Sequence, residues 1–567
     1  MSLNRPITGI NKYPFRIPIQ GICIPPANIF VANNTIYINE NINISSIPYC
    51  LYTGMSTIQI NSGYTLTVDI NFILPSNITT ISGSGTLSIN SGYTLTIGAN
   101  STFTVSTVSG AGTLSISSGY TLTFSGSNLL PSTLTATGTL ALSGNYTLVT
   151  NITNGTGNLV INSGYTLTVS SNITLGFTSV GGSGTLSISS GYTLTLGANT
   201  TFSVSTVSGS GTLSLNSYTL SLGANITFAV STVSNGTIAF NSHTLTINVN
   251  TTFSVGALSG DGTISISSGY TLTVSANIYQ ENVVSQLTIT GAGTLSIASG
   301  VTYNVSAAAL DLSVATVSGS GTIAIGWSWA CNITGNVTIS GITIANSGAG
   351  SSSFNINSGC TLTQSGAITL SGGSYGLSVN LSGTWANAGY GITISGAPVT
   401  FSVSGSITTA STPGTMTVNG TVYWYGSGIT AQTSNAVPTF PLSLAGTGIF
   451  VGSPTGTTGT ATTSISLSST AINANAGDGS ASGSGKIPYI HLTSVTGSAT
   501  GKYGLGVYDS TAGTYAIFGL IYVGGTSAFS VSVNVNYTTA DTSGDTIEVF
   551  NASGSAGTLT LSGTAYV

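Results

Sequence analysis

The sequence predicts an all-β chain: a single-chain right-handed parallel β-helix of about 27 residues per coil, followed by a C-terminal antiparallel β-sandwich or jelly roll. Three observations predict it. A Gly-Thr-Leu-Ser-Ile phrase places its Gly at Gly85, Gly112, Gly138, Gly184, Gly211, Gly236, Gly262, Gly293 and Gly321, most steps being 25 to 28 residues. A Ser-Gly-Tyr-Thr-Leu-Thr phrase keeps step at Tyr64, Tyr93, Tyr120, Tyr165, Tyr192 and Tyr270. Within each phrase apolar residues alternate with Thr or Ser, the period of a strand.

Residues 1–55 hold three of the five basic residues and the prolines Pro6, Pro14, Pro18, Pro25 and Pro26. They are expected to cap or anchor the helix, whose end would otherwise expose strand edges. Residues 56–375 are the shaft. In one repeat, Leu87 and Ile89, then Tyr93, Leu95 and Ile97, then Phe103 and Val105 are expected to point inward. Ser-Gly and Gly-Ala-Asn supply the turns. About a dozen coils at the ~4.8 Å strand spacing would form a rod on the order of 55 Å long. The 19-residue step from Gly138 to Gly157 predicts a shortened coil.

Residues 376–455 keep the alternation and lose the register, so a β-rich domain or an irregular continuation is expected. Residues 456–485 are rich in Gly, Ser, Thr and Ala and read as a linker. Residues 486–567 read as the sandwich, with strands near 487–492, 504–508, 516–523, 528–535, 546–550 and 558–561.

Charged residues make up 3% of the chain and the net charge is −5. None lies between Asp69 and Asp261, or between Asp311 and Asp478. That excludes the basic footprint of a nucleic-acid binder. No apolar run reaches the roughly 20 residues of a membrane span. So few carboxylates also leave little for acid to protonate, as hot or acidic extracellular surroundings would demand.

Cys331 and Cys360 are read as occupying the same slot one coil apart, which predicts a disulfide. Cys23 and Cys50 are one period apart and form a second candidate pair. No metal site is expected. About nineteen Asn-x-Ser/Thr sites occur, with Asn77, Asn100, Asn172, Asn199, Asn225 and Asn332 as glycosylation candidates. Trp385, Tyr423, Trp424 and Tyr425 are candidate binding aromatics.

Catalytic chemistry finds little footing, and no catalytic residue or cofactor is assigned. Glycan cleavage needs two carboxylates roughly 5 to 9.5 Å apart. Asp261 and Glu281 could meet only through the Tyr279-Gln-Glu-Asn insertion. His243 takes a Tyr slot and is read as stacked between Tyr218 and Tyr270. With His491 the only other histidine, no Ser triad forms. The Asp541-Thr-Ser-Gly-Asp545 loop reads as a polar turn that lacks a full calcium-loop spacing.

The Thr65/Thr67, Thr94/Thr96, Thr121/Thr123, Thr166/Thr168 and Thr193/Thr195 pairs would stack into a flat array that looks like the ice-binding face of small β-helical antifreeze proteins. Over the whole chain, the anchor, β-helical shaft, linker and terminal β-domain resemble viral tail spikes, fibres or turret-type surface proteins. The charge-poor composition is similar to that of viruses of thermoacidophilic archaea. The resemblance implies a virion surface projection that attaches to host surface glycans or glycoproteins. It implies contact with other virion proteins through the N-terminal segment, and a homo-oligomer, usually a trimer. A cellular adhesin or S-layer-like protein, a tail-spike glycan hydrolase and an ice-binding protein are the alternatives.

Overall fold

The computed structural model describes residues 25–26, 29–149, 151–152, 155–281, 286–430 and 437–453. Beyond them it describes 464–473, 483–484, 489–497, 501–509, 514–525, 533–536, 543–551 and 558–566. The chain is an all-β solenoid of about 17 turns, with about 22 residues per turn. It divides into two compact units, 1–146 and 147–567.

In the first unit the solenoid starts inside the stretch expected to be an anchor. Ile29–Ala32 and Thr35–Ile38 form an antiparallel hairpin, and Thr35–Ile38 then pairs in parallel with Thr57–Ile60. The turn residues Asn33 and Asn34 have φ of 49° and 59°, the left-handed pair that a two-residue hairpin needs. Thr57–Ile60 pairs in turn with Thr80–Ser82.

The 27-residue coil is corrected to a shorter one, and the registers give the reason. Leu87 does not meet Leu114, its equivalent in the next repeat. It meets Val108, and Leu114 meets Leu95. One repeat holds four strand phrases: Gly-Thr-Leu (Thr86–Ile89), Tyr-Thr-Leu (Thr94–Ile97), a Phe phrase (Ser101–Phe103) and a Val phrase at the start of Thr107–Ile116. One turn has three sides. The fourth phrase therefore begins the next turn, and each repeat advances by four thirds of a turn.

The same stacking order holds in both units. The Val phrase lies on the Gly phrase, as Val207 does on Leu186. The Gly phrase lies on the Tyr phrase, as Leu213 does on Leu194. The Tyr phrase lies on the Phe phrase, Leu222 on Phe202, and the Phe phrase lies on the Val phrase, Phe202 on Val180. Inside, Leu, Ile, Val and Phe stack on one another fully buried. The 19-residue step is a repeat one phrase short, and the division between the two units falls within it.

Each junction has its own chemistry. Where the Tyr phrase starts, the N–H of its first Thr is caught by an Asn side chain from the turn before: Asn100 Oδ1 accepts from Thr121 at 2.8 Å, and Asn199 from Thr219 at 2.9 Å. Where the Gly phrase crosses the Tyr phrase, the chains approach so closely that only Gly fits. A Cβ on Gly211 would fall 2.7 Å from the Tyr192 carbonyl oxygen. Where the Val phrase ends, Gly209 has φ +99° and presses on the Ile188 carbonyl, 2.0 Å from where its Cβ would stand.

Residues 376–430 and 437–453 continue the solenoid. Leu377–Leu381, Val399–Val403, Thr421–Gly426 and Ile449–Ser453 are successive parallel rungs of one face. Ile449–Ser453 then pairs antiparallel with Thr514–Val523, which leads to Gly501–Asp509 and Ser543–Asn551. Ser464–Asn473, Thr558–Tyr566, Tyr489–Gly497 and Val533–Asn536 make a second antiparallel sheet. Ser464–Asn473 lies within the stretch expected as a linker, and pairs there as a strand.

Candidate interaction surface

The alternation that fills the core with Leu and Phe turns Thr and Ser outward. Thr193, Thr212, Thr232, Thr252 and Thr273 form one column, and Thr166, Thr185, Thr206, Thr227 and Thr246 form another on a different face. The expected stack of Thr-x-Thr pairs does not occur. A pair meets the Thr-x-Ser of another phrase, and the hydroxyls spread over more than one face.

From Asp311 onward one face changes character. Asn332 Nδ2 donates to Asp311 Oδ1, Asn355 Nδ2 to Asn332 Oδ1, and Asn380 Nδ2 to Asn355 Oδ1, each at 2.7 Å. The ladder is polarised: every amide donates toward the carboxylate, and hydrogen bonds in such a chain strengthen one another. Its far end opens on a surface groove of about 490 Å³ lined by Asn380, Ser382, Ser402, Ser404 and Tyr425. Burial pushes the Tyr425 hydroxyl up to about 12, with Tyr423 adding to the effect.

Of the candidate aromatics, Tyr423 and Tyr425 face outward and half-buried. Trp385 and Trp424 do not. They are 1% and 0% exposed and belong to a core stack, in which Phe401 lies 4.6 Å from Trp424 at 27°. Trp385 Nε1 donates to the buried Gln364 Oε1, and Trp424 Nε1 to the Ser427 carbonyl. Their parity explains this, since Trp424 shares its face with the buried Val422.

Tyr93, expected inward with Leu95, is instead half-exposed, as are the other Tyr-slot residues. The slot is the last residue of the corner, before the alternation starts. His243 stacks with neither Tyr218 nor Tyr270, because successive slots stand on different corners. The three carbonyls accept from Thr263, Thr237 and Thr294 of three different Gly phrases.

The Cys331–Cys360 bond is corrected: both thiols are free. Cys360 does fill a Tyr slot. Cys331 sits two residues past its own, with Trp329 in the slot and Cys331 buried in register with Leu310 and Phe354. Desolvation then holds its thiol well above the ordinary range. Cys50 is disulfide-bonded; Cys23 lies outside the described residues.

The glycosylation candidates have structural duties. Asn100, Asn172, Asn199 and Asn225 each cap a Thr N–H. Asn77 donates to the Tyr52 and Met55 carbonyls, and Asn332 belongs to the ladder. The many Asn-x-Ser/Thr sites follow from an Asn cap preceding an outward Thr or Ser.

Glu281 does reach the turn next to Asp261, where its carbonyl accepts from the Gly260 N–H at 3.2 Å. Asp541 lies outside the described residues, and Asp545 stands in the strand Ser543–Asn551. Among the described residues, no group of three or more His, Cys, Asp or Glu could hold a metal ion, and no helix is long and apolar enough to cross a membrane. Trp327 and Tyr375 are among the exposed aromatics that escaped the sequence reading. For Trp327 the signal was a Gly-Trp-Ser corner in place of Ser-Ser-Gly.

Comparison with protein-family models, with curated proteins and with solved structures finds no match for this chain.

Proposed function

We propose that the chain is a structural surface projection that attaches a virion to its host by binding surface glycans or glycoproteins. The observation that supports this best is the contrast along the second unit. Many turns present Thr and Ser columns, and the turns from Asp311 to Tyr425 then gather an Asn ladder, a polar groove and exposed aromatics. A scaffold of repeats that ends in one differentiated surface suits attachment better than catalysis. In this reading the antiparallel C-terminal strands form a sandwich pointing outward, the N-terminal segment meets other virion proteins, and the projection is an oligomer.

The test is cryo-electron microscopy of the native source with antibody label on the C-terminal strands. Label at the tips of projections on particles supports the proposal. Label on a cell envelope without particles overturns it in favour of a cellular adhesin.

A further inference from the structure

Three consecutive corners of the second unit lead into the Asn-ladder strands: 326–329, 347–351 and 372–376. In the first, Trp327 and Ser328 form a two-residue turn closed by the Trp329 N–H on the Gly326 carbonyl at 2.9 Å. Trp327 has φ +48° and is 71% exposed. Bulky residues rarely adopt that backbone. Asn216 and Asn241 hold the same position in equivalent turns at +50° and +49°. Two turns of the same kind thus use the residue that suits it, and the third spends an exposed Trp there. Such strain collects where a side chain has work to do.

The third corner carries Tyr375, 60% exposed. The middle corner carries Gly348, Ala349 and Gly350. A Cβ on Gly348 would fall 2.1 Å from the Trp327 nitrogen, and one on Gly350 2.3 Å from Ser328 Oγ. The middle and third corners are tied together from inside by Asn346, which stands in the rung where its neighbour has Ile325. Asn346 is buried. It donates to the carbonyls of Gly350 and Gly376 and accepts from the Gly348 N–H and Ser352 Oγ. A polar residue in a core rung costs stability unless it is fully bonded. Here its bonds are spent on fixing a low saddle between two aromatics.

We infer that Trp327 and Tyr375 form the two platforms of a binding ridge for an uncharged, extended polysaccharide. The platforms stand two turns apart, about 10 Å at the inter-strand spacing, the span of two hexose rings in an extended chain. Aromatic faces suit the apolar faces of such rings. The acid of the adjoining face, Asp311, is bound by Asn332, and no basic residue lies between Arg16 and Lys486. An anionic polymer would find no counter-charge, and the one acid nearby already accepts from Asn332, whereas hydroxyls meet Asn, Ser and backbone groups. This names the ligand class of the attachment reading and rests on it only for its biological purpose.

The experiment titrates the purified full-length chain with cellohexaose, chitohexaose and maltohexaose, by calorimetry and Trp fluorescence. At least one hexamer should bind. Trp327→Asn should weaken it at least tenfold while leaving the thermal midpoint unchanged or higher, because Asn suits the backbone there. Tyr375→Ala should weaken it similarly, and Tyr270→Ser, at a remote corner, should not. Binding of no hexamer, or binding unaffected by both ridge variants, overturns the ridge. Binding that both variants leave intact would still allow glycan attachment elsewhere. Imaging that finds no virion projection would sink the attachment reading and leave the ridge standing.

Discussion

Two deletions in the second unit separate the sequence repeat from the structural turn. Removing residues 184–210 takes out one repeat (211 − 184 = 27 residues) and brings Gly211 to the place of Gly184. A Cβ on either glycine would fall the same 2.7 Å from a Tyr carbonyl oxygen. Asn172, which caps Thr193, would then cap Thr219, and every rung keeps its kind of neighbour. Removing residues 185–205 takes out one turn, since Thr206 stacks on Thr185 (206 − 185 = 21 residues). That puts a Val phrase on a Tyr phrase, a Gly phrase on a Phe phrase and a Tyr phrase on a Val phrase. Thr219 also loses Asn199. A lost hydrogen bond costs about 1 kcal/mol. Three misfitted rungs cost on the order of 1 kcal/mol or more each. The turn deletion should therefore be less stable than the repeat deletion by about 3–5 kcal/mol. A count of lost rungs alone favours the turn deletion, which removes three strands rather than four. The assay is urea unfolding together with hydrogen exchange of Thr206–Ser214 and Thr219–Leu222, because a solenoid can open locally. A turn deletion at least as stable and as protected as the repeat deletion would refute the register argument.

Trp424→Ala should cost about 3–5 kcal/mol in chemical unfolding, because it empties the middle of the Phe401–Trp424–Phe450 stack. Asn199→Ala should cost about 1 kcal/mol and raise the exchange rate of the Thr219 amide above that of Thr244, which keeps Asn225. Cys331 should resist iodoacetamide in the folded chain and react on unfolding, because it is fully buried and its thiol is held above the ordinary range; mass spectrometry of the labelled peptide reads this. Burial raises the Asp69 carboxyl, but hydrogen bonds from the Ser45 hydroxyl and N–H outweigh it and hold the group below its ordinary value. Its stabilisation is present above the unfolded pKa of about 4 and is lost as pH falls through the folded value. Asp69→Asn should thus lower the thermal midpoint at neutral pH and make no difference in strong acid.

Strand alternation, turns and the coil-on-coil core were all legible in the sequence, because Leu95 and Ile97 or Leu114 and Ile116 announce their face by parity. The number of strands in a turn was not legible. All four phrases share one period of two, and nothing local in Gly112 says whether the strand beneath it is Leu87 or Leu95. The frame of Cys331 was legible by counting: Gly321 to Trp329 spans the same eight residues as Gly112 to Tyr120, which puts Trp329 in the slot and Cys331 two residues past it. Trp424 could have been placed by parity alone, from its alternation with Val422. The inward face of Asn346 was legible by the same parity, from its alternation with Ile344, but its partners Gly350, Gly376 and Ser352 were not.

A four-phrase repeat on a three-sided coil also governs how such a chain can grow. Duplicating one repeat inserts without a seam, yet everything downstream is rotated by a third of a revolution. Within the second unit, one added or lost repeat before residue 327 would carry the Trp327–Tyr375 corner to a different side of the coils that precede it. Three such events would restore its bearing four turns further along. Gene duplication thereby changes the direction in which a surface is presented as well as its distance, while no residue in any rung has to change.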